Sequence, residues 1–293
     1  MNSLKPYVVM SIGVAAISFA AIFIRLADAP SLVVAAGRLT IASVILIPLS
    51  WSRIKEELKG IHPRDILIFL LSGTVLAFHF AVWIASLSYT SVAASVVLVT
   101  TNPIFVALAS FFFLREHISR LQVIGIGLSV AGGMVIGGGE AGGNGHALYG
   151  DLLALLGALL MTFYLLAGRR LRQRFSLLTY ISVVYGMAAV LLLGMCLITG
   201  ASFYPYSGWT YLMLVLLALG PQLIGHSSFN WALRHVTASF VAVAILGEPV
   251  GATLLAYLIL GETLLPSQWI GGSLVLIGIY LCARGESNLQ APG

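Results

Sequence analysis

Long apolar stretches set the pattern of this chain. Ten of them alternate with short segments that carry charged residues, Gly or Pro. The stretches cover residues 6–25, 31–50, 66–88, 91–114, 120–138, 149–168, 178–199, 210–230, 237–261 and 266–283. A hydrocarbon core of about 30 Å needs about 20 helical residues to cross it. The pattern therefore predicts an all-α, polytopic membrane protein with ten transmembrane helices.

Composition supports this interpretation and narrows the function. Of 293 residues, 59% are hydrophobic and only 9% are charged, whereas a soluble domain carries about 25% charged residues. The connections between apolar stretches are short, so the function must lie inside the helical bundle or at its mouths. The net charge of +5 is not concentrated in one basic tract, which argues against a nucleic-acid partner. Cys196 and Cys282 lack metal-ligand spacing, so no metal or other cofactor is expected.

The Lys and Arg residues predict an orientation. When the termini and the even-numbered loops are placed on one side, that side receives 13 of the 15 basic residues. The two exceptions are Arg25, which lies at the opposite side, and Arg38, which lies inside the second stretch. Cytoplasmic loops of membrane proteins carry such an excess of Lys and Arg. We therefore expect a multi-pass protein of the cell (inner or plasma) membrane with cytoplasmic N- and C-termini.

The second half of the chain repeats the first. Pro249 matches Pro103, and the offset is 249 − 103 = 146 residues. The same offset matches Asn102 with Glu248, Leu114 with Leu260, Glu116 with Glu262, Gln122 with Gln268, Gly125 with Gly271 and Gly132 with Gly278, and a two-residue adjustment upstream adds Trp83 with Trp231 and Ser91 with Ser239. The simplest extension pairs helices 1–5 with helices 6–10, and because five is odd the halves are predicted to be inverted. Inverted repeats recur in secondary transporters, whose substrate site lies near the midplane between the halves.

Two stretches resemble a known family. Trp83 to Ile136 contains TSVAAS, NPIFVALASFFFLRE and QVIGIGLSVAG, and the second half contains LGEPVGATLLAYLILGE followed by QWIGGSLVLIGIYL. They resemble the two EamA repeats of the drug/metabolite transporter superfamily, and Arg38 in AAGRLT resembles the Arg of that family's second helix. We assign residues 1–140 to the first repeat, 147–286 to the second and 287–293 to a disordered tail. The resemblance implies ten helices, cytoplasmic termini and export of metabolites such as amino acids.

A competing interpretation takes the N-terminus as a signal peptide. Lys5, an apolar run and Ala27-Asp28-Ala29 fit that pattern. Its removal would leave nine apolar stretches and would break the repeat, so the first stretch is predicted to be a transmembrane helix.

Ionisable residues inside the apolar stretches are candidates for a substrate or coupling site. Near the centre of a membrane helix each costs at least about 2.5–3.5 kcal/mol, so such residues usually face a cavity or a partner. Four lie inside the predicted spans and away from their ends: Arg38, His79, His226 and Glu248. Arg38 can balance a substrate carboxylate or Glu248, or it can pair structurally with Asp28 or with helix carbonyls. The histidines can bind a substrate, carry a proton or bond a neighbouring helix, so proton coupling stays open.

Prolines break two predicted helices at matching positions, Pro103 after Asn102 and Pro249 after Glu248. A proline leaves a carbonyl one turn upstream without its helical bond, and opened backbone at membrane depth is tolerated only where protein or water satisfies it. We therefore predict that Asn102 and Glu248 bind polar groups of a small-molecule substrate. The alternative is that both prolines only curve the helices for packing, with a protonated Glu248 bonded to a neighbour.

Aromatic residues at depth suit amphipathic or aromatic solutes, because Tyr and Trp combine an apolar face with one hydrogen-bonding atom. Trp83, Tyr164 and Tyr185 are candidates to line the path. The other deep aromatic residues fit the same role or simple packing, and they are Phe78, Phe163, Trp231 and Tyr257.

Other motifs receive structural interpretations. GIGLSVAGG (residues 125–133) resembles a dinucleotide fingerprint but lacks the strand and βαβ unit that it needs, and its small residues predict close helix packing. GGGEAGGNG (residues 137–145) is predicted to be a flexible linker between the repeats. Glu116 and Glu262 close the two repeats and are predicted to anchor helix ends at opposite membrane faces.

The sequence predicts a secondary transporter, expected to export small organic metabolites such as amino acids or amphipathic and aromatic solutes, by alternating access around a midplane site. A passive channel or membrane scaffold is the alternative, although neither requires polar residues at matched helix breaks. An intramembrane enzyme needs a nucleophile with a base. Ser227 and Ser228 beside His226 come nearest, but sequence neighbours on a helix face different directions, so no enzyme is expected. The sequence does not determine the substrate, direction, energy coupling or oligomeric state.

Overall fold

Helices make up nearly all of the described structure. The computed structural model describes residues 4–90, 95, 98–99, 101–137, 145–260 and 265–290, and these residues contain no β-strand. Within them, eight helices are long and apolar enough to cross a membrane, and two apolar helices are shorter. The long ones are α1 (Lys5–Leu26), α2 (Ser31–Glu57), α3 (Pro63–Ser86), α6 (Gly145–Arg172), α7 (Leu177–Thr199), α8 (Gly208–Ala232), α9 (Ala238–Ile259) and α10 (Pro266–Gln290), and the shorter ones are α4 (Asn102–Leu114) and α5 (Arg120–Gly137). The chain is therefore a nearly all-helical, multi-pass membrane protein.

Local signals in the sequence set several helix ends. α3 begins with Pro63, where the missing N–H costs no helical bond. The ring of His62 accepts a hydrogen bond from a backbone N–H of the same first turn. Ser176 and Ser207 cap α7 and α8 through their hydroxyl oxygens. Gly200 ends α7 at φ +71°, a left-handed conformation that glycine adopts without a Cβ clash.

α5 and α10 pack against each other through glycines. A methyl group added to Gly125 would lie 2.6 Å from the carbonyl oxygen of Gly278, and one added to Gly132 would lie 2.6 Å from that of Gly271. The contact moves forward along α5 as it moves backward along α10, so these helices run antiparallel. In the repeat, Gly271 is the counterpart of Gly125, and Gly278 is the counterpart of Gly132. The contacts exchange these partners, because Gly125 meets Gly278 and Gly132 meets Gly271.

Several other helix contacts also recur with the repeat counterparts exchanged. α1 packs along α8 as α6 packs along α3, and α1 contacts α9 as α6 contacts α4. α2 packs along α7, its own repeat counterpart. Contacts that recur with the partners exchanged are the property of a two-fold axis. These contacts are those that the predicted two-fold relation between the halves of the chain would produce.

Two π-helical segments also follow the repeat. They are Ser110–Leu114 at the end of α4 and Ala256–Leu260 at the end of α9, and 110 + 146 = 256. A third π-helical segment, Ala218–His226, contains Pro221 and forms the middle of α8. Single π turns inside α-helices are frequent at functional sites, and the third segment leads directly to the cavity described below through His226.

α10 extends beyond the predicted end of the second repeat. α10 continues to Gln290, four residues into the predicted tail, where the hydroxyls of Ser287 and Tyr7 lie 2.9 Å apart and tie α10 to α1. Residues 291–293, Glu262 and residues 138–144 of the predicted linker lie outside the described residues.

Basic residues gather at one end of the bundle, where α6 ends and the connection to α7 begins. We call residues 169–174, from the last turn of α6 into this connection, and their contacts the arginine-rich end. Arg169 donates to the carboxylate of Glu116 at 2.7 Å, and Arg174 pairs with Asp65 at 2.6 Å. Glu116 thus ties the end of α4 to the end of α6.

Candidate functional site

A cavity of about 100 Å³ lies inside the bundle. Its walls come from both halves of the chain, on α1, α2, α3, α4, α6, α8 and α9. The polar and aromatic side chains that line it include Arg38, His79, Phe80, Trp83, Asn102, His226, Phe229 and Glu248, and the rest of the lining is mainly aliphatic. A water needs about 10–15 Å³ of such space, whereas typical small-molecule pockets measure about 300–1,000 Å³. In this conformation the cavity therefore holds several waters or a small solute.

Arg38 of α2 is buried at the cavity wall, with 1% of its surface exposed. Its Nε donates to the side-chain oxygen of Gln222 at 3.0 Å, and its guanidinium lies 4.2 Å from the ring centre of Phe80. Its Nη2 has no hydrogen-bond partner among the described residues. Within that part of the chain it also forms no ion pair with Asp28 or with Glu248. A buried guanidinium with an unused donor can form a charge-assisted hydrogen bond to an anionic group.

α9 is interrupted beside the cavity. Ala238–Ile245 and Gly247–Leu255 are separate helical segments, with a turn at Leu246 between them. Pro249 has no N–H to donate to the carbonyl of Ile245 one turn earlier, so the regular ladder opens there. The break brings Glu248 and Pro249 to the cavity wall, and it places the carboxylate in the same enclosure as Arg38.

Asn102, the repeat counterpart of Glu248, opens α4 at the cavity wall. It is 5% exposed, and its Nδ2 donates to the carbonyl of Ala158 at 2.7 Å and to the hydroxyl of Thr162 at 2.9 Å. Both donor hydrogens are used by α6, so the amide oxygen is the atom of Asn102 available to a solute. Pro103 is buried behind it and does not line the cavity.

His79 of α3 faces the cavity in a fixed orientation. Its Nδ1 lies 2.8 Å from the carbonyl oxygen of Gly157, and because a carbonyl only accepts, Nδ1 carries the hydrogen and donates. Its ring lies parallel to that of Trp83, with centroids 6.1 Å apart. His226 reaches the cavity from α8 and meets Phe80 edge to face at 5.3 Å. The two histidines and two aromatic rings form one wall.

Two predicted aromatic candidates lie elsewhere. Tyr164 and Tyr185 are completely or almost completely buried but do not line the cavity. Their hydroxyls accept hydrogen bonds of 2.6 and 3.1 Å from Nδ2 of Asn230. Among the other deep aromatic residues, the exposed fraction is 43% for Phe78, 39% for Phe163 and 50% for Tyr257, and Trp231 lies near the ammonium group of Lys5. These side chains face away from the cavity.

Two buried amide side chains were not among the predicted site residues. Gln222 and Asn230 are fully buried on α8, yet only ionisable residues were counted as expensive inside the spans. An uncharged amide in hydrocarbon also costs free energy unless it is bonded. The signal that could have found them is any Asn or Gln inside an apolar stretch.

Comparisons with known proteins point to one class. The EamA-like transporter family model matches residues 4–138 and 148–284. The chain is 28% identical to the uncharacterized transporter YetK of Bacillus subtilis, over 83% of this chain and 76% of that protein. It is 25% identical to a probable terminal-alkyne amino-acid exporter of Streptantibioticus cattleyicolor, over 64% of this chain and 62% of that protein. A protein crystal structure with 20% identity covers 98% of this chain and 99% of its own at a TM-score of 0.80, which shows a shared fold.

Proposed function

Because the chain belongs to the EamA-like transporter family, we propose that it is a secondary transporter that exports small organic metabolites, such as amino acids, by alternating access around the cavity. One observation carries the proposal. Arg38 and Glu248 line one largely apolar cavity from α2 and α9 without pairing with each other in the described part of the chain. Opposite charges held apart in a desolvated enclosure fit the two ends of a zwitterion, because each buried charge then gains a partner.

The solute is proposed to be a small amino acid or a similar amphipathic or aromatic molecule. Its carboxylate would meet Nη2 of Arg38, and its ammonium group would meet the carboxylate of Glu248. The apolar remainder would contact Trp83, Phe80 and the aliphatic wall, which offer contact area without hydrogen-bond demands. The similarity to a probable amino-acid exporter supports this class of solute.

The architecture is proposed to be ten spans in two inverted units, residues 1–140 and 147–286, in the cell membrane with both termini cytoplasmic. The antiparallel contact of α5 with α10 supports the inversion, since these helices are repeat counterparts. The arginine-rich end lies on the side of the termini, as the distribution of Lys and Arg favours. Cavity walls from both halves suit rocking of one half against the other, which exposes the site to each side in turn.

Protons are proposed as the coupling ion. Glu248, His79 and His226 are the titratable groups other than Arg38 among the described residues that line the cavity, and each can exchange a proton with a substrate or with water. An imposed pH gradient is therefore expected to drive the solute against its concentration gradient.

The test is flux in proteoliposomes. A panel of radiolabelled amino acids and amphipathic drugs is expected to yield at least one solute whose flux saturates and shows counterflow. Glu248→Gln is expected to weaken that flux by roughly 10- to 100-fold, because a hydrogen bond to a charged group contributes about 1.5–3 kcal/mol. Glu56→Gln, at an exposed position near the end of α2, is the matched control and should retain it.

Other outcomes would point to other functions. Non-saturating flux without counterflow would favour a passive channel over a carrier. Unchanged flux in Glu248→Gln would remove this carboxylate from the mechanism. For an intramembrane enzyme, the local geometry offers no support in the described residues, since the hydroxyl of Ser227 lies near Tyr185 and the carbonyl of Gln222 rather than near His226.

A further inference from the structure

A polar cluster lies between the cavity and the arginine-rich end. We call it the tyrosine–amide cluster, and its members are Tyr164, Tyr180, Tyr185, Gln222 and Asn230, each at most 1% exposed. On the cavity side, Gln222 accepts the hydrogen bond from Nε of Arg38. On the other side, the backbone carbonyl of Asn230 accepts a hydrogen bond from Nε of Arg172 at 3.0 Å. The cluster therefore fills the distance from the candidate site to that end of the bundle.

Side-chain hydrogen bonds of the cluster connect four helices, α3, α6, α7 and α8. Asn230 of α8 donates to Tyr164 of α6 at 2.6 Å and to Tyr185 of α7 at 3.1 Å. The hydroxyl of Tyr185 also lies 3.5 Å from that of Ser227 on α8. The hydroxyl of Tyr180 bonds that of Ser72 on α3 at 2.9 Å. The bonds of Asn230 thus cross from α8 to the pair of α6 and α7.

Backbone packing is concentrated elsewhere. α6 packs chiefly along α3, and α7 packs chiefly along α2 and α3, whereas the α8 segment of residues 227–232 packs more closely on α1 than on either of them. The interface between α8 and the pair of α6 and α7 therefore combines the side-chain bonds of the cluster with a smaller share of direct packing, and with bonds at the arginine-rich end, where Nη1 of Arg169 donates to the carbonyl of Leu233 at 2.7 Å. An interface of this kind can part without unpacking the helix pairs on its two sides.

Two atoms of the cluster have no hydrogen-bond partner among the described residues. They are Nε2 of Gln222 and Oδ1 of Asn230, and both are fully buried. A buried polar atom without a partner costs the free energy of its lost hydration. Apolar side chains of similar shape would fill the same space without that cost, so an interface that never opens would be more stable if it were apolar. The polar composition instead suits a surface that meets water in another conformation.

We propose that the tyrosine–amide cluster is the gate between the cavity and the arginine-rich end. In this structure the gate is closed. When the carrier turns toward that end, α8 separates from α6 and α7, the bonds of Asn230 break, and water satisfies the two orphaned atoms while the solute passes. The proposal rests on the proposed transport function, because a gate is needed only where the cavity is exposed to each side in turn.

A reporter cysteine tests the opening. Ser227→Cys is placed in a chain that also carries Cys196→Ala and Cys282→Ala, and inverted vesicles present the arginine-rich end to a membrane-impermeant thiol reagent. Ser50→Cys is the matched control, because Ser50 is equally a buried serine with a hydroxyl partner, Ser182 at 2.7 Å, but lies between the packed pair α2 and α7. We expect Ser227→Cys to react at least about tenfold faster than the control. Equal rates, or reaction only from the opposite side, would overturn the proposal.

Removing a hydroxyl from the gate tests what holds it closed. Tyr185→Phe keeps the ring but loses the bonds to Asn230 and to the residue at position 227, so the closed state is weakened and the reporter thiol of Ser227→Cys should react about threefold faster or more. Tyr211→Phe is the control, since that hydroxyl donates to the carbonyl of Phe203 at the other end of α8. Unchanged reaction in Tyr185→Phe would show that the cluster only stabilises the fold.

Two further readouts keep the outcome clear. If Tyr185→Phe elutes as an aggregate in size-exclusion chromatography, Tyr164→Phe removes the shorter bond to Asn230 with the same expected sign. Flux measured on the same vesicles separates the two proposals. If Ser227→Cys reacts faster than the control but no solute shows saturable flux, the transport proposal is overturned and the opening of the cluster stands. If flux is saturable but Ser227→Cys reacts no faster than the control, only the gate proposal is overturned.

Discussion

The glycine contact between α5 and α10 gives a prediction whose size follows from the structure. In Gly125→Ala, the new methyl carbon would lie 2.6 Å from the carbonyl oxygen of Gly278. Carbon and oxygen atoms in close helix contacts normally lie about 3.3 Å or more apart, so α5 and α10 must separate by about 0.7 Å locally. Overpacking of this kind costs about 1–3 kcal/mol. Gly125→Ala is therefore expected to destabilise the folded protein.

A second glycine on the same helix provides the control. A methyl group on Gly127 would meet no atom within 4 Å, and alanine is favoured over glycine inside a helix by about 0.5–1 kcal/mol. Gly127→Ala should therefore be neutral or stabilising. The repeat also predicts the effect of the same substitution at Gly271, the counterpart of Gly125. Gly271→Ala faces the carbonyl oxygen of Gly132 at 2.5 Å, so it should destabilise about as much as Gly125→Ala.

Thermal unfolding of the purified protein in mild detergent, followed by tryptophan fluorescence, measures both effects. Each kcal/mol shifts the Tm of a domain of 150–250 residues by roughly 2–4 °C. Gly125→Ala and Gly271→Ala should each lower the Tm by several degrees, and Gly127→Ala should not. A Tm for Gly125→Ala equal to that of Gly127→Ala would refute the close antiparallel contact. Unequal losses at Gly125 and Gly271 would refute the two-fold relation.

Two further predictions concern the site and the topology. Arg38→Lys keeps the positive charge but removes the guanidinium, which can bind Gln222 and a substrate carboxylate at the same time. The KM of a transported amino acid should therefore rise by about tenfold or more. The KM of a solute that lacks the carboxylate should change little. A protease-accessible tag inserted at residue 142 should be cleaved from the side opposite to a tag at the C-terminus, because an odd number of spans is proposed between them. Cleavage of both tags from the same side would contradict the inverted topology.

Several cavity-lining positions were predictable because their signals are local. Arg38, His79 and Glu248 are ionisable residues in long apolar stretches, where their cost demands a reason. Asn102 was found by its match to Glu248 in the repeat. All four line one cavity in the structure, although they lie on four different helices, three in the first half of the chain and one in the second. Their roles in binding remain predictions that the transport experiments test.

Aromatic residues show where local signals end. Trp83 lines the cavity, whereas Tyr164 and Tyr185 lie in the tyrosine–amide cluster and Phe163 is exposed. Phe163 and Tyr164 are neighbours in one apolar stretch, yet only Tyr164 is buried. Successive residues of a helix point about 100° apart, so their surroundings depend on how each helix is rotated. A soluble helix reveals that rotation through its polar face, but lipid is as apolar as the protein interior and erases this signal.

The sequence by itself determined the membrane class and the ionisable residues that are expensive to bury, and it predicted ten spans in two repeats, because hydrophobic length, offset identity and charge are properties of the chain. Only the tertiary structure decided which faces of the helices meet. It placed Gln222 against Arg38 and Asn230 between two tyrosines, and it left one donor of Arg38 without a partner in the described residues. These contacts join residues from separate helices, and their geometry depends on packing that no local pattern encodes.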